Sequence, residues 1–207
     1  MTTGITLRGT DLKKVFNRRT IFSGVSFTVS SGETLLITGR NGSGKSTLVK
    51  ILSGVLTPSA GSVELEGTLA VREIQGMIGL VSPYLQMFEE FSARENLAIA
   101  AGLRGLTFDG AVADALLSRV ALYPRRHDPV RTYSSGMKQR VKYAFALLHR
   151  PVILILDEPM SNLDEDGIAI VRTIMEEHRV GGALVVATND MSDIASFDRR
   201  VDLNART

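Results

Sequence analysis

A glycine-rich segment early in the chain carries the residue types best suited to bind phosphate. It reads Gly-Arg-Asn-Gly-Ser-Gly-Lys-Ser over residues 39–46 and matches the pattern G-x-x-x-x-G-K-S/T. Glycines allow successive backbone N–H groups to point inward, and the start of the following helix favours negative charge, so the segment predicts a phosphate cradle. The predicted contacts to a bound nucleotide come from Gly39, Arg40, Asn41, Gly42, Ser43, Gly44, Lys45, Ser46 and Thr47.

Two side chains of this cradle have predicted roles in catalysis and metal binding. Lys45 should reach the β- and γ-phosphates, and Ser46 should give its hydroxyl to Mg²⁺. An ordinary glycine-rich turn into a helix is the alternative. We favour the cradle because the segment lies between an apolar strand and a helix, which is the context that the pattern requires.

An acidic pair supplies the second half of the predicted nucleotide site. The aliphatic run Val152 to Leu156 predicts a strand buried on both faces, and Asp157 and Glu158 follow it. Open α/β sheets bind ligands at this end of their strands. We therefore expect Asp157 in the Mg²⁺ shell and Glu158 as the group that orients or deprotonates an attacking water. A buried strand that ends in solvated acids is the alternative if this run is taken alone.

The elements that must position these residues alternate between strands and helices, which predicts an α/β core. Between Ser92 and Leu148 the pattern becomes helical, with a capping box formed by Ser92 and Glu95. The predicted strands are Ile5 to Leu7, Val25 to Val29, Thr34 to Thr38, Val63 to Leu65, Val152 to Leu156 and Ala183 to Ala187. The predicted helices run from Gly44 to Ser53, from Ser92 to Leu106, from Ala111 to Val120, from Ser135 to Leu148, from Glu165 to Glu177, and through Ile194.

Composition narrows the class of protein. With 207 residues, 44% hydrophobic and 22% charged, the chain fits one soluble domain with an inserted lobe rather than a disordered protein. The absence of cysteine excludes disulfides, iron-sulfur clusters and thiolate zinc sites. A net charge of +2 without long basic runs gives no indication of nucleic-acid binding. We find neither a bilayer-spanning run nor a secretory signal, and expect a cytoplasmic protein.

The segment Tyr133 to Arg140 gives the sequence its family resemblance. It resembles L-S-G-G-Q followed by Q-Q-R, the signature of the ATP-binding cassette (ABC) transporter ATP-binding subunits, and the likeness covers essentially the whole chain. The resemblance implies the P-loop NTPase fold of ABC ATPases, which is α/β. It has an antiparallel β lobe, a mixed, mostly parallel core sheet and an inserted helical subdomain. We expect a single domain over 1–207, with 1–91 and 150–207 as ATP-binding core and 92–149 as helical subdomain.

The resemblance also implies the cofactors and the partners. These are ATP and Mg²⁺, a homodimer or a paired ATPase subunit, and a separate integral-membrane permease that would hold the protein at the inner face of the cell membrane. In a head-to-tail dimer, Ser134, Ser135 and Gly136 would close on the ATP held by the other subunit. A serine hydroxyl, an N–H group and a helix start suit phosphate. An ordinary N-cap and turn is the alternative for these three residues.

Two further positions resemble family motifs and keep a structural alternative. Phe16 lies where the family carries an aromatic residue that stacks on adenine. The alternative is that Phe16 belongs to the hydrophobic core. Ser161 to Asp164 resembles the S-A-L-D loop, which contacts the partner subunit. Asp164 would read equally well as a helix cap.

Two positions depart from the family. The glutamine that bridges Mg²⁺ or the attacking water should follow Val81 closely, but Pro83 takes its place and Gln86 comes three residues late. We assign Gln86 to the metal and catalytic site on the expectation that the loop shifts. Asn189 replaces the histidine beside the γ-phosphate, and its amide donates a hydrogen bond but carries no positive charge. Slower or differently coupled hydrolysis is the expected consequence.

The sequence predicts an ATPase subunit that powers a membrane transporter. A groove for the permease would use Tyr84, Leu85, Met87, Phe88 and Phe91, although Phe88 and Phe91 fit a core equally well. In length the chain looks like the haem-export ATPases of cytochrome c maturation, a length that also suits other two-component exporters. The alternatives are a non-transport ABC-type ATPase and a weakly hydrolysing regulatory ATP-binding module.

Overall fold

The computed structural model describes residues 4–65, 75–190 and 196–205. Its strands are Thr6–Phe16 (β1), Arg19–Ser30 (β2), Thr34–Thr38 (β3), Ala60–Leu65 (β4), Ile78–Val81 (β5), Ile153–Asp157 (β6), Ala183–Ala187 (β7) and Arg199–Asp202 (β8). Its α-helices are Lys45–Leu52 (α1), Ala93–Leu103 (α2), Gly110–Arg119 (α3), Ser135–Leu147 (α4) and Glu165–Gly181 (α5). The helix predicted through Ile194 lies outside the described residues.

A small antiparallel sheet in the order β2-β1-β4 holds the N-terminal part of the chain. Strands β1 and β2 form a hairpin in which Phe16 pairs with Arg19. The two turn residues, Asn17 and Arg18, have φ of 47° and 67°, which is the geometry of a tight two-residue hairpin turn. Both strands are longer than predicted, because irregular register between Gly9 and Leu12 interrupts the alternation that marks a strand.

The core sheet has five strands in the order β5-β6-β7-β3-β8. The pairings between its neighbouring described strands are all parallel, so the sheet is more regular than the mixed sheet we expected. Parallel strands place their carboxyl ends at one edge. That edge therefore gathers the residues that follow Val81, Thr38, Asp157 and Ala187. The predicted α/β fold class is confirmed, with an antiparallel sheet beside a parallel one.

Alternate residues of the core strands face two separate clusters of buried side chains. Leu36, Leu154 and Val186 pack against the helical cluster that includes Leu97 and Tyr143. On the other face, Leu35, Ile155 and Val185 pack with α1 and the antiparallel sheet. The two faces of each strand therefore hold the helices and the small sheet in fixed positions relative to the sheet edge.

Helices α2, α3 and α4 form where the helical pattern predicts them. The capping box is present: the Ser92 hydroxyl accepts from the Glu95 N–H, and the Glu95 carboxylate accepts from the Ser92 N–H. The three helices fall within 92–149. The boundaries of that segment as a subdomain stay a prediction.

Strand β8 was not predicted. Three of its four residues are charged, among them Arg199 and Arg200, so no apolar alternation marks it as a strand. Both are exposed, but the backbone pairs with β3, and the side chains form ion pairs with Glu33 and Asp202. Within the described residues, no helix has the length and apolar character that a membrane span requires.

Candidate functional site

The phosphate cradle adopts the backbone conformation that its glycines allow. Gly42 and Gly44 have φ of 80° and 102°, which L side chains rarely adopt. A Cβ at Gly44 would also lie 2.6 Å from Cγ2 of Ile21. Helix α1 begins directly after Gly44, and no side chain caps its N-terminus. The first N–H groups of the helix are therefore available to an anionic ligand.

Lys45 is buried at the centre of this arrangement, with a side chain only 6% exposed. Its Nζ donates to the Gly39 carbonyl oxygen at 3.0 Å and lies 3.6 Å from Oε1 of Glu158. Nζ also donates to Oδ1 of Asn189. The structure thus brings the two catalytic candidates Glu158 and Asn189 to the same ammonium group.

Asn189 also contacts the cradle directly. Its Nδ2 donates to Oδ1 of Asn41, in addition to the bond that its oxygen accepts from Lys45. An amide can make both contacts at once because it carries a donor and an acceptor. The residue that replaces the expected histidine therefore lies just after β7, beside the cradle, and its place next to a γ-phosphate stays a prediction.

Asp157 ends β6 and is fully buried. Burial raises the pKa of its carboxyl group, while hydrogen bonds from the Ser46 and Ser82 hydroxyls and the charge of Lys45 lower it. The Ser82 Oγ donates to Oδ2 at 3.4 Å. Among the described residues, Oδ1 has no hydrogen-bond partner. A buried carboxylate oxygen that accepts no hydrogen bond is available to a cation or a water.

These residues fit Mg²⁺. The described residues contain no group of three His, Cys, Asp or Glu that could hold a metal by itself. Mg²⁺ does not need one, because it is commonly bound through one or two carboxylates together with phosphate oxygens and water. The Asp157 carboxylate and the Ser46 hydroxyl are hard oxygen donors of that kind.

Glu158 has an uncommon backbone conformation for a glutamate, with φ of 51°. Its N–H donates to the Ala187 carbonyl oxygen at 2.8 Å, which attaches it to the end of β7. Its Oε2 accepts from Oγ1 of Thr188 at 3.4 Å. The carboxylate is therefore held between Thr188 and Lys45, in a position to bind and orient a water molecule.

Gln86 is not brought to this site. It is exposed and lines a separate cavity of about 240 Å³, together with Leu85, Lys138 and Lys142. Pro83 is the second residue after the strand, and the N–H of Leu85 donates to the Ser82 carbonyl oxygen in a turn. This turn directs Gln86 elsewhere, and Ser82 contacts Asp157 instead. The expectation that the loop shifts to bring Gln86 to Asp157 is not met in this structure.

Phe16 is exposed at the end of β1, with 43% of its surface accessible, so the core alternative is wrong. The Nζ of Lys14 lies 4.8 Å from its ring centroid. Its role in stacking on adenine stays a prediction.

The signature segment lies at the start of α4. Ser134 and Ser135 are exposed, and the Ser134 hydroxyl caps the helix by accepting from the Met137 N–H at 3.2 Å. Tyr133 is buried, and its hydroxyl donates to the Arg125 carbonyl oxygen at 2.7 Å. A Cβ at Gly136 would lie 3.1 Å from the Asn162 carbonyl oxygen, so this glycine allows close packing. Contact with a partner's nucleotide stays a prediction.

Asp164 caps α5, as the structural alternative predicts. Its Oδ1 accepts from the Gly167 N–H at 2.9 Å. This bond does not test whether Asp164 also contacts a partner subunit. The Tyr84 and Phe88 side chains of the predicted groove are 66% and 54% exposed, so Phe88 is not a core residue. Phe91 is 45% exposed as well.

Sequence reasoning missed three residues that support the site. Ser82 and Thr188 hold the two acidic side chains, and Asn204 accepts from the Arg40 N–H at 2.9 Å. Ser82 and Thr188 are the residues directly after β5 and β7, so strand ends at the ligand edge were a usable signal. Asn204 comes from the C-terminal turn, and no pattern in the sequence pointed to it.

Comparisons with known proteins agree on one family. The model of the ABC transporter family matches residues 22–161. An uncharacterized ABC transporter ATP-binding protein, YybJ of Bacillus subtilis, is 32% identical over 94% of this chain and 90% of its own. The cytochrome c biogenesis ATP-binding export protein CcmA of Nitrosospira multiformis is 34% identical, covering 92% and 94%. A solved ATP-binding protein of a putative ABC transporter from Pyrococcus furiosus superposes with a TM-score of 0.84 at 23% identity, covering 98% and 99%.

Proposed function

Because the chain belongs to the ABC transporter family and is an ATP-hydrolysing subunit of it, we propose that it powers a permease carried on a separate polypeptide. The observation that carries this proposal is the convergence of Lys45, Asp157, Glu158 and Asn189 at one sheet edge, beside a cradle with an uncapped helix start. Lys45 supplies a cation for phosphate, Asp157 a carboxylate for the metal ion, and Glu158 a carboxylate for the attacking water.

Each residue has a role that its contacts support. Lys45 exchanges its contacts with Asn189 and Glu158 for the oxygens of the β- and γ-phosphates. Glu158, released from the ammonium, orients a water for attack on the γ-phosphorus and accepts its proton, while the bond from the γ-phosphorus to the bridging oxygen breaks and ADP leaves. Ser46 and Asp157 would hold Mg²⁺, which would neutralise charge on the phosphate oxygens. Asn189 donates from its amide to the γ-phosphate.

Dimerisation completes the site. Ser134 and Ser135 are exposed at the N-terminus of α4, a position that favours a bound anion. Nothing about the two residues requires that anion to be a phosphate held by the same subunit. We propose that they close on the ATP of a second subunit, which is a copy of this chain or a paired ATPase. Asp164 lies in the loop Ser161 to Asp164 next to Gly136, and we place this loop in the same interface.

The permease contact is proposed at the aromatic groove. Tyr84, Phe88 and Phe91 are exposed, and the rings of Phe88 and Phe91 meet edge to face at 6.1 Å. Leu85 and Met87 line the adjacent cavity of about 240 Å³. Exposed aromatic anchors beside a cavity with both apolar and charged lining residues suit an amphipathic helix. Binding there would hold the protein at the inner face of the cell membrane.

Haem export in cytochrome c maturation is one candidate for the cargo. Its support is the 34% identity to CcmA and the similar length of the two chains. The 32% identity to YybJ is nearly as high, so identity alone does not select this cargo. The cargo is therefore proposed only as that of a small exporter. A weakly hydrolysing regulatory module is the second candidate, and the observation in its favour is Asn189 in place of an imidazole.

Steady-state ATP hydrolysis by the purified chain with Mg²⁺ tests the proposal. We expect measurable turnover that both Lys45→Ala and Glu158→Gln abolish. ATP binding without any turnover, alone and in membranes that contain the permease, would favour the regulatory module.

A further inference from the structure

Lys142 lies on α4 and makes its hydrogen bonds to a neighbouring strand end. Its Nζ donates to the Ser82 carbonyl oxygen at 3.2 Å and reaches the Pro83 carbonyl oxygen at 3.5 Å. Within the part of the chain that the structure describes, its ammonium has no ion-pair partner, and burial lowers its pKa. Lys138, one turn earlier on the same helix, pairs with Glu89 instead.

Ser82 is the point where that contact meets the metal-binding candidate. The residue is buried, its carbonyl oxygen accepts from Lys142, and its hydroxyl donates to Oδ2 of Asp157 at 3.4 Å. The same hydroxyl accepts from the Tyr84 N–H at 3.4 Å. The carbonyl oxygen and the hydroxyl of Ser82 therefore both have defined partners. Because the hydroxyl accepts from Tyr84, its own proton is directed toward Asp157.

The bond to Oδ2 leaves the other oxygen of Asp157 free. Oδ1 is buried and has no partner among the described residues. A carboxylate that is fixed through one oxygen presents the other in a defined direction. Removing a group that fixes a ligand in this way typically lowers metal affinity about 10- to 100-fold.

We propose that Ser82 and Lys142 are positioning residues for Mg²⁺ in this chain. Lys142 holds the Ser82 carbonyl oxygen, and Ser82 orients the Asp157 carboxylate. This series links α4, whose first residues carry the signature, to the metal-binding edge of the core sheet. It lies beside Pro83, which takes the position of the expected glutamine after β5. The proposal rests on the proposed function, since it assumes that Asp157 binds the metal of a nucleotide complex.

Metal binding to the ADP-bound protein tests this proposal without hydrolysis. Free Mn²⁺, used in place of Mg²⁺, is measured by electron paramagnetic resonance with protein in excess over ADP. We expect Ser82→Ala to weaken Mn²⁺ affinity about 10-fold, as for other groups that orient a metal ligand. ADP affinity in EDTA, measured by calorimetry, should be unchanged. Lys142→Met should weaken Mn²⁺ affinity by a smaller factor, and Lys142→Arg should retain it.

The double variant separates positioning from independent structural damage. If Lys142 acts through Ser82, Ser82→Ala with Lys142→Met binds Mn²⁺ no more weakly than Ser82→Ala alone. Multiplication of the two single effects would overturn the series. Ser118→Ala is the matched control for a lost serine hydroxyl, because Ser118 donates to the Asp114 carbonyl oxygen on α3. Lys13→Met is the control for a lost charge, because the Lys13 side chain is exposed on β1, away from the core sheet.

Failure of the two proposals is distinguishable. Unaltered Mn²⁺ affinity in Ser82→Ala, with ADP bound normally, would overturn the positioning role and leave the ATPase function intact. Absence of ADP binding by the unaltered protein would overturn both.

Discussion

Asn189→Ala should change the preference of the protein for a nucleoside triphosphate over a diphosphate. In the structure, the Asn189 oxygen accepts from Lys45 and its amide donates to Asn41 of the phosphate cradle. In the proposed mechanism, Lys45 turns to phosphate when ATP binds, and the amide becomes a donor for the γ-phosphate. ADP has no γ-phosphate, so it loses nothing when that donor is removed.

The magnitude follows from the kind of bond. A hydrogen bond to a charged acceptor contributes about 1.5–3 kcal/mol, which corresponds to about 10- to 150-fold in affinity. Removing Asn189 also removes one acceptor that holds Lys45 in the nucleotide-free protein. That change favours both nucleotides equally. The ratio of triphosphate to diphosphate affinity should therefore fall about 10-fold or more, while ADP binds as well as before or better.

Calorimetry with ADP and with AMP-PNP, which is not hydrolysed, measures the two affinities in the presence of Mg²⁺. ADP serves as the internal control for folding and for the cradle. An unchanged ratio would refute the assignment of Asn189 to the γ-phosphate. Asn189→His then tests rate: the imidazole adds a cation and should raise turnover. Unchanged turnover would show that Asn189 does not limit the rate.

Three further changes have defined outcomes. Phe16→Ala should weaken ATP and ADP by the same factor, about 10-fold for a lost base stack, whereas unequal factors in calorimetry would argue against stacking on adenine. Tyr133→Phe removes the hydrogen bond from the tyrosine hydroxyl to the Arg125 carbonyl oxygen, which still accepts from the Asp128 N–H, and should lower the free energy of unfolding in urea by about 1 kcal/mol, with ATP turnover retained. Asp157→Asn should raise the stability of the nucleotide-free protein at neutral pH, because burial raises the pKa of this carboxyl group and its ionised form is therefore unfavourable in the fold. That gain should disappear as the pH falls below the ordinary pKa of an aspartate, and a constant gain in urea unfolding from pH 7 to pH 3 would contradict it.

The site could be predicted from the sequence where the chain itself joins chemistry to a strand end. The cradle follows β3 and the acids end β6, so the aliphatic runs before them already indicated which edge of the sheet would carry them. Lys45, Asp157, Glu158 and Asn189 lie together because parallel pairing places these ends side by side. Predicting that arrangement requires only the order of the strands and the resemblance to the ABC family.

Other parts depend on contacts that sequence patterns do not contain. Gln86 was assigned to the site on the expectation that its loop shifts, but the turn after Pro83 carries it into another cavity. Strand β8 is short and charged, and it exists because β3 offers a free edge for pairing. Phe16 could not be separated from a core residue until the hairpin turn at Asn17 and Arg18 placed it at the exposed end of β1.

ATP-driven dimerisation of Glu158→Gln tests the central claim most directly. Sedimentation velocity measures the mass of this variant with and without ATP, and Lys45→Ala is the control that should not bind ATP productively. A head-to-tail ATPase predicts a monomer without ATP and a stable dimer with it, since the variant closes around ATP but cannot hydrolyse it. A variant that binds ATP and stays monomeric at every concentration would contradict the account.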